Sequence, residues 1–444
     1  MTGFILTEHS ENTPQDESAA FQEALLSHAA GDLVKAIEFY KTMPISAPDY
    51  LEGQHYLGIA LHHLGQHEQA LSILSHSVAQ AGDRADWLSN FGNVLVEQGK
   101  FAEAIQCFEK VRALAPEDVM TWVNLGSVYE RTSNDEAAEQ AYLKAVSIDP
   151  SCQSAYRLLS TLYGRQGRAA ESVHAYCQSY VLSPLEETTP FLLGKAYYVL
   201  GRLEEAAEVY ARWMEMEPDN PIPIHMHAAC SSLNVPERCS DAFINQTFDD
   251  YAPEFDTKLS QLAYRGPALL QTALDELALP KNSLEILDAG CGTGLCVGSL
   301  RPLAKHLVGV DLSKAMLAFA KERGGYDAIH CREIGAFLQE SPHHYDLIAC
   351  IDTLIYFGTL DKIMALLAQK MKSGGYLIFT TEAAADTEAN FRLQASGRYA
   401  HSRTYLQGLL DKNNLKIIKE QDCMLRMELD KPVNGFIMTA QRAD

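Results

Sequence analysis

The sequence predicts an α-solenoid of helix pairs followed by an α/β domain on a mostly parallel sheet. Two observations carry the prediction: a 34-residue period through the first half, and apolar strands alternating with helical runs from residue 284 onward. A glycine-rich turn directly after the first of those strands adds a candidate ligand site.

The period is read from Gly58, Gly92, Gly126 and Gly194, with Ser160 between the last two. Twelve residues after each comes a small residue: Ala70, Ala104, Ala138, Ser172, Ala206. Four further on comes a large one: Leu74, Phe108, Tyr142, Tyr176, Tyr210. Pro116, Pro150, Pro184 and Pro218 close units, and the frame extends back to Ala24, Ala36, Tyr40 and Pro48. A lone helix pair cannot bury its apolar face, so small residues allow close crossing and neighbours complete the core. The pattern resembles the tetratricopeptide repeat, with six units over residues 17–220 and Trp122 to Tyr129 nearest its consensus. Such arrays commonly hold a protein or peptide on a concave face. Phe108, Tyr142 and Tyr176 are expected to pack, and His55, Asn90, Asn93, Asn124 and Arg157 to offer partner contacts. An array serving assembly alone is the alternative.

Composition narrows the classes. The chain has 444 residues and a net charge of −22, with 58 acidic against 36 basic residues. That disfavours nucleic acid as a partner, because binding a polyphosphate needs clustered Lys and Arg. No run approaches the ~20 apolar residues of a membrane helix, and residues 1–16, expected to be flexible, lack the form of a signal peptide. The ten cysteines show no metal or CxxC spacing, so a cytoplasmic protein without a metal is expected.

Pro218, Pro221 and Pro223 break helical continuity, which predicts a linker at 221–240 and a second domain over 241–444. Leu284 to Ala289 reads as its first strand and runs into Gly290-Cys-Gly-Thr-Gly294. Leu307 to Val310 is the second, ended by Asp311; Asp327 to Glu333 the third; Tyr345 to Ile351 the fourth; Lys372 to Glu382 a turn and the fifth. Leu415 to Cys423 and Gly435 to Gln441 are expected to be the last two. A carboxylate ending a strand beside a glycine turn is placed to bind ribose hydroxyls at the switch point of the sheet. A dinucleotide fingerprint would need a third glycine at 295, which is Leu295.

These motifs, with Val310-Asp-Leu-Ser-Lys-Ala-Met-Leu317, resemble the class I methyltransferases and their Rossmann-like, seven-stranded sheet. The resemblance covers residues 245–441, and joined to the repeats it is similar to a bacterial group of tetratricopeptide-containing methyltransferases. It implies S-adenosylmethionine as cofactor and S-adenosylhomocysteine as product. It also implies that Asp288, Ala289, Gly290, Cys291 and Gly292 hold the methionine part. Asp311 would take the ribose, Leu312 and Met316 would line the adenine, and Glu333 with Ile334 would meet its amino edge. Ile351 would lie beneath the sulfonium. The segment Phe248-Asp-Asp-Tyr-Ala-Pro-Glu-Phe-Asp256 resembles the helix that covers the cofactor in such enzymes.

Around the acceptor, Asp352, Tyr356, His401 and Tyr405 are candidate bases, with Tyr264, Arg265, Glu382 and Arg398 as substrate contacts. Ser396 to Ser402 reads as a lid or substrate loop. The chain lacks the N/D-P-P-Y/F element that holds planar amino acceptors, and the paired-glutamate loop of arginine methyltransferases. Three functions remain open: a methyltransferase whose repeats recruit a protein that is or carries the substrate, one for a free small molecule, and a non-catalytic S-adenosylmethionine-binding module.

Overall fold

The computed structural model describes residues 19–386 and 389–443; the segment 1–16 expected to be flexible lies outside them. The chain forms two compact units that meet in sequence at Leu182 and Ser183. In the first, helices pair as α1 (Ala19–Ala29) with α2 (Leu33–Thr42), and α3 (Tyr50–His63) with α4 (His67–Ala81). The pairs α5 (Ala85–Glu97) with α6 (Phe101–Leu114), α7 (Val119–Arg131) with α8 (Asp135–Ile148), and α9 (Gln153–Arg165) with α10 (Ala169–Val181) follow.

The repeat pattern has a steric meaning. A Cβ on Gly126 would lie 2.4 Å from the Tyr142 ring, and Gly92 and Gly58 face Phe108 and Leu74 as closely. At the fifth unit Ser160 carries that Cβ, and its hydroxyl donates to the Ser172 carbonyl at 2.9 Å. Tyr176, expected to pack, is instead 53% exposed and stacks on Tyr180. His55, Asn90 and Asn93, expected at a partner surface, are buried. The His55 ring stacks on Trp87 at 4.4 Å, and burial pushes its pKa down to about 3. These polar groups tie one helix pair to the next. Asn124 remains part-exposed and Arg157 exposed.

The second unit begins with helices α11 (Pro190–Val199), α12 (Leu203–Met216) and α13 (Pro221–Ser231). The expected linker at 221–240 is thus half helix: Asn220 caps α13, and Pro221 and Pro223 sit in its first turn, where a missing N–H costs nothing. The remainder is bonded to its surroundings. Cys239 N–H donates to the Tyr356 carbonyl, Gly358 N–H to the Glu237 carbonyl, and the Tyr399 hydroxyl to the Pro236 carbonyl. Tyr210, Met226, Phe243, Leu393 and Tyr399 share one core, so the last repeat packs as part of the α/β unit.

Helices α14 (Asp241–Tyr251), α15 (Phe255–Gln261) and α16 (Gly266–Leu277) lead into the sheet. There β1 (Leu284–Ala289), α17 (Val297–Leu300), β2 (Ala304–Asp311), α18 (Lys314–Arg323), β3 (Ala328–Cys331), α19 (Ile334–Glu340) and β4 (Tyr345–Cys350) alternate. Next come α20 (Asp361–Lys370), β5 (Met371–Ala384), β6 (Phe391–Leu393), β7 (Tyr399–Ser402), α21 (Arg403–Lys412), β8 (Leu415–Glu428) and β9 (Lys431–Arg442). Strands β3-β2-β1-β4-β5 are parallel, and β9 pairs antiparallel with both β5 and β8.

Among the described residues the sheet has nine strands rather than seven. Strand β5 outruns β4, and the β6–β7 hairpin pairs with its free end at Glu382 to Ala384. This hairpin occupies the segment expected to be a lid or loop. All four residues of β7 are buried, so no alternation marked it as a strand.

Candidate active site

The carboxyl ends of β1, β2 and β4, the turn after β3, the β6–β7 turn and helices α11, α13 and α14 enclose a cavity of about 660 Å³. That is ligand-sized, within the roughly 300–1,000 Å³ usual for small-molecule sites. Gly290, Gly292 and Gly294 all adopt positive φ in the turn after β1. At Gly290 a Cβ would lie 2.2 Å from Thr353 Oγ1, so the turn can press against the loop after β4 only without one. Asp311 fastens the loop from the side: Gly292 N–H donates to its Oδ2 and Ser313 N–H to its Oδ1, both at 2.9 Å. Burial pushes its pKa up against the pull of these amides.

Asp288 is buried and accepts from the Tyr326 hydroxyl at 2.6 Å. Desolvation raises its pKa to about 7, with the tyrosine bond opposing the shift. Glu333 caps α19, accepting from Ala336 N–H at 2.7 Å, and also lines the cavity. Cys291, Leu312, Met316, Ile334 and Ile351 complete this half. Ala289, expected among them, lies in the core below, where its carbonyl accepts from Thr353.

The other half is aromatic and charged. Tyr264 and Tyr356 line it, and burial pushes both phenols well above their ordinary pKa. Asp352 adopts φ 56° after β4, and its N–H donates to Thr380 Oγ1 at 2.8 Å. Its carboxylate accepts from Arg426 at 3.2 Å. Arg426 also binds Glu382 and, at 2.8 Å, Glu428. Arg398 binds the same two glutamates at 2.7 and 2.6 Å. Burial pushes the Asp352 pKa up despite Arg426 and Arg398.

Four candidate residues besides Ala289 fall outside the cavity wall. His401 is fully buried, its Nε2 within 2.9 and 3.0 Å of the Phe357 and Gly358 carbonyls, and burial lowers its pKa to about 4. The Tyr405 hydroxyl donates to Asp361 and accepts from Leu360 N–H. Glu382 lies in the ion network behind the wall. Arg265 is exposed and joins β8 through its backbone N–H.

Sequence reasoning passed over several others. Asp249 accepts from the Ser313 hydroxyl and Asp256 from the Thr293 hydroxyl, both at 2.6 Å, which ties α14 to the turn after β2 and α15 to the glycine turn. The repeated Phe-Asp at 248 and 255 was the available signal. Arg426 and Glu428 alternate with Leu425 and Met427 at strand period, a pattern that marks one polar face on β8.

Residues 261–420 match the family model of a methyltransferase domain. Residues 49–117, 90–151 and 158–221 match tetratricopeptide repeat models. The chain thus carries tetratricopeptide repeats and a methyltransferase domain. It is 30% identical over 101 residues to a ubiquinone biosynthesis O-methyltransferase of Nitrosospira multiformis, covering 22% of this chain and 42% of that protein. It is 36% identical over 115 residues to methyltransferase-like protein 27 of Homo sapiens, covering 26% and 45%. The chain thus spans under half the length of these relatives. Magnesium protoporphyrin IX methyltransferase from Synechocystis PCC 6803, solved with bound SAH, aligns at 18% identity and a TM-score of 0.36, over 46% of this chain and 97% of that one. Among the described residues no helix is long and apolar enough to cross a membrane.

Proposed function

We propose that this protein is an S-adenosylmethionine-dependent methyltransferase. The observation that carries the reading is Asp311 bonded to Gly292 N–H at the rim of the cavity. Its carboxylate has lone pairs left for two ribose hydroxyls, and the glycine turn gives the backbone close approach. Asp288 suits an ammonium group, since a cation would draw its buried carboxyl into the charged form. Glu333 would accept from the adenine amino group, between Leu312, Met316 and Ile334. Ala289 would support the turn from below.

The bound cofactor supplies an electrophilic sulfonium methyl. This chain's own residues hold the acceptor in line and keep water away. Tyr264, Ile351 and Tyr356 close the acceptor side, and Arg398 stiffens the β6–β7 turn through its two glutamates. Asp352, raised in pKa and on the wall, is the group suited to take a proton from a hydroxyl acceptor. These walls favour catalysis over a non-catalytic binding module.

The repeats of the first unit suit a docked protein that bears or delivers the acceptor, with the exposed Tyr176–Tyr180 pair as its first contact. All ten cysteines are free thiols, which fits a cytoplasmic setting. Calorimetric titration with S-adenosylmethionine tests the core of the proposal. Asp311→Ala should lose most of the affinity while keeping its melting temperature, and wild-type affinity in that variant would remove the site. Methyl-labelled cofactor in a lysate lacking the protein tests the acceptor route: label in a protein band supports recruitment, and label only in small molecules limits the repeats to assembly.

A further inference from the structure

Part of the cavity wall is made by the last repeat and the helix that follows it. Phe191 and Lys195 on α11, and Ile222 and Met226 on α13, line the same space as Asp352 and Tyr356. The periodic positions Gly194 and Tyr210 pack against each other as in the other repeats, but Phe191, Lys195 and Met226 face a cavity. These helices therefore shape an acceptor pocket in addition to their role in the solenoid.

The charges on this wall are unequal. Arg238 is bonded to Asp241 at 2.6 Å and Lys258 to Glu254 at 2.7 Å. Arg398 and Arg426 are held by Asp352, Glu382 and Glu428. Lys195 alone among the lining cations has no carboxylate partner among the described residues. Its Nζ stands 4.7 Å from the Phe191 ring centroid and 5.9 Å from that of Tyr251. Ring faces attract a cation weakly and leave its three N–H donors open to an anion. Helix α14 adds the rings Phe243 and Phe248 to the wall alongside the polar Gln246, Thr247 and Asp250, and the Phe248 ring meets Tyr356 edge-on at 5.4 Å. Lys195 is itself half-buried, which strengthens a charge pair formed there.

We infer that the acceptor is a small molecule with an apolar, ring-sized body and one anionic group, a carboxylate or phosphate, that pairs with Lys195. This rests on the methyltransferase reading for the word acceptor, though the pocket itself does not. Arg398 and Arg426 cannot serve the anion in its place, because their guanidinium groups already face three carboxylates.

Two dyes of nearly equal shape test it. 1-Anilinonaphthalene-8-sulfonate carries a ring body and an anion, and N-phenyl-1-naphthylamine has the same body without charge. Each is titrated by fluorescence into the full chain in the presence of S-adenosylhomocysteine, whose own binding is measured separately by calorimetry. Lys195→Gln should raise the Kd of the sulfonate about tenfold, the scale of one charge-assisted bond. It should leave the neutral dye and S-adenosylhomocysteine unchanged, and Lys195→Arg should restore the sulfonate. An unchanged sulfonate Kd, equal losses for both dyes, or no dye bound by the wild type would each overturn the inference. Failure of S-adenosylhomocysteine to bind, with the dye pattern intact, would sink the methyltransferase reading while leaving the anion pocket standing.

Discussion

The Tyr326 hydroxyl donates to Oδ2 of Asp288 at 2.6 Å inside the α/β unit. The ring reaches that position because Gly309 on β2 has no side chain; a Cβ there would lie 2.9 Å from it. Burial keeps the phenol protonated far above neutral pH, so it stays a donor. Burial raises the Asp288 pKa to about 7 against the pull of this bond, which leaves the carboxyl ready to change charge when a cation arrives.

A pH dependence follows with a definite sign. If the charged form of Asp288 binds the cofactor ammonium, affinity should rise with pH through about 7 and level off above it. Below that value binding should release a proton, visible as a buffer-dependent calorimetric enthalpy. Tyr326→Phe removes the bond that lowers the Asp288 pKa, so the midpoint should move up by about one unit. A flat profile between pH 6 and 8 would exclude Asp288 from cofactor binding.

The network around Arg426 predicts a stability effect. Its side chain is 3% exposed and that of Glu382 2%. Arg426→Met would leave Asp352 without its bonded cation and Glu382 and Glu428 with Arg398 alone, and breaking a buried pair in this way typically costs about 3–5 kcal/mol. Arg426→Lys keeps the charge but loses the planar fork, so its loss should be smaller. Urea unfolding followed by α/β-unit fluorescence reads both, and wild-type stability in Arg426→Met would show that the ion network contributes little.

The glycine turn, Asp311 at a strand end and the alternation of strands and helices were legible because each rests on local chemistry: apolar strands, a turn needing positive φ, and a carboxylate ending a strand. The hairpin of β6 and β7 was not, since Tyr399 to Ser402 are buried on both faces and show no alternation. Nor was the placement of His401. A histidine in a polar run reads as a solvent-facing base, whereas β5 pairing draws it into the core. The role of α11 and α13 was hidden for another reason. The 34-residue pattern of α11 reports packing within the array, and α13 lies in the segment expected to be a linker.

The repeat glycines make a steric prediction. Gly126→Ala forces a methyl group toward the Tyr142 ring at 2.4 Å, and overpacking of this kind costs about 1–3 kcal/mol. Ser160→Ala adds no such clash, because Tyr176 already lies outside, and should lose only the hydroxyl bond, about 1 kcal/mol. Thermal unfolding of the helical unit distinguishes them. Equal melting temperatures for Gly126→Ala and the wild type would mean that the Gly–aromatic contact does not set the repeat spacing.

His401 predicts a contrast between stability and catalysis. Its pKa in the fold is about 4 against an ordinary 6.5, so the folded chain binds fewer protons than the unfolded one between those values. Stability contributed by the neutral ring is therefore complete above pH 6.5 and falls as pH drops toward 4, by about 3 kcal/mol at most. His401→Gln retains a donor for the Phe357 and Gly358 carbonyls and cannot titrate. The stability difference between wild type and variant should shift in the variant's favour on acidification across that window, read by urea titrations at pH 4.5 and 7.5. The pH profile of methyl transfer should keep its shape, because His401 does not reach the cavity. Loss of one limb of that profile in His401→Gln would make the ring a working base and require the β7 hairpin to open during turnover.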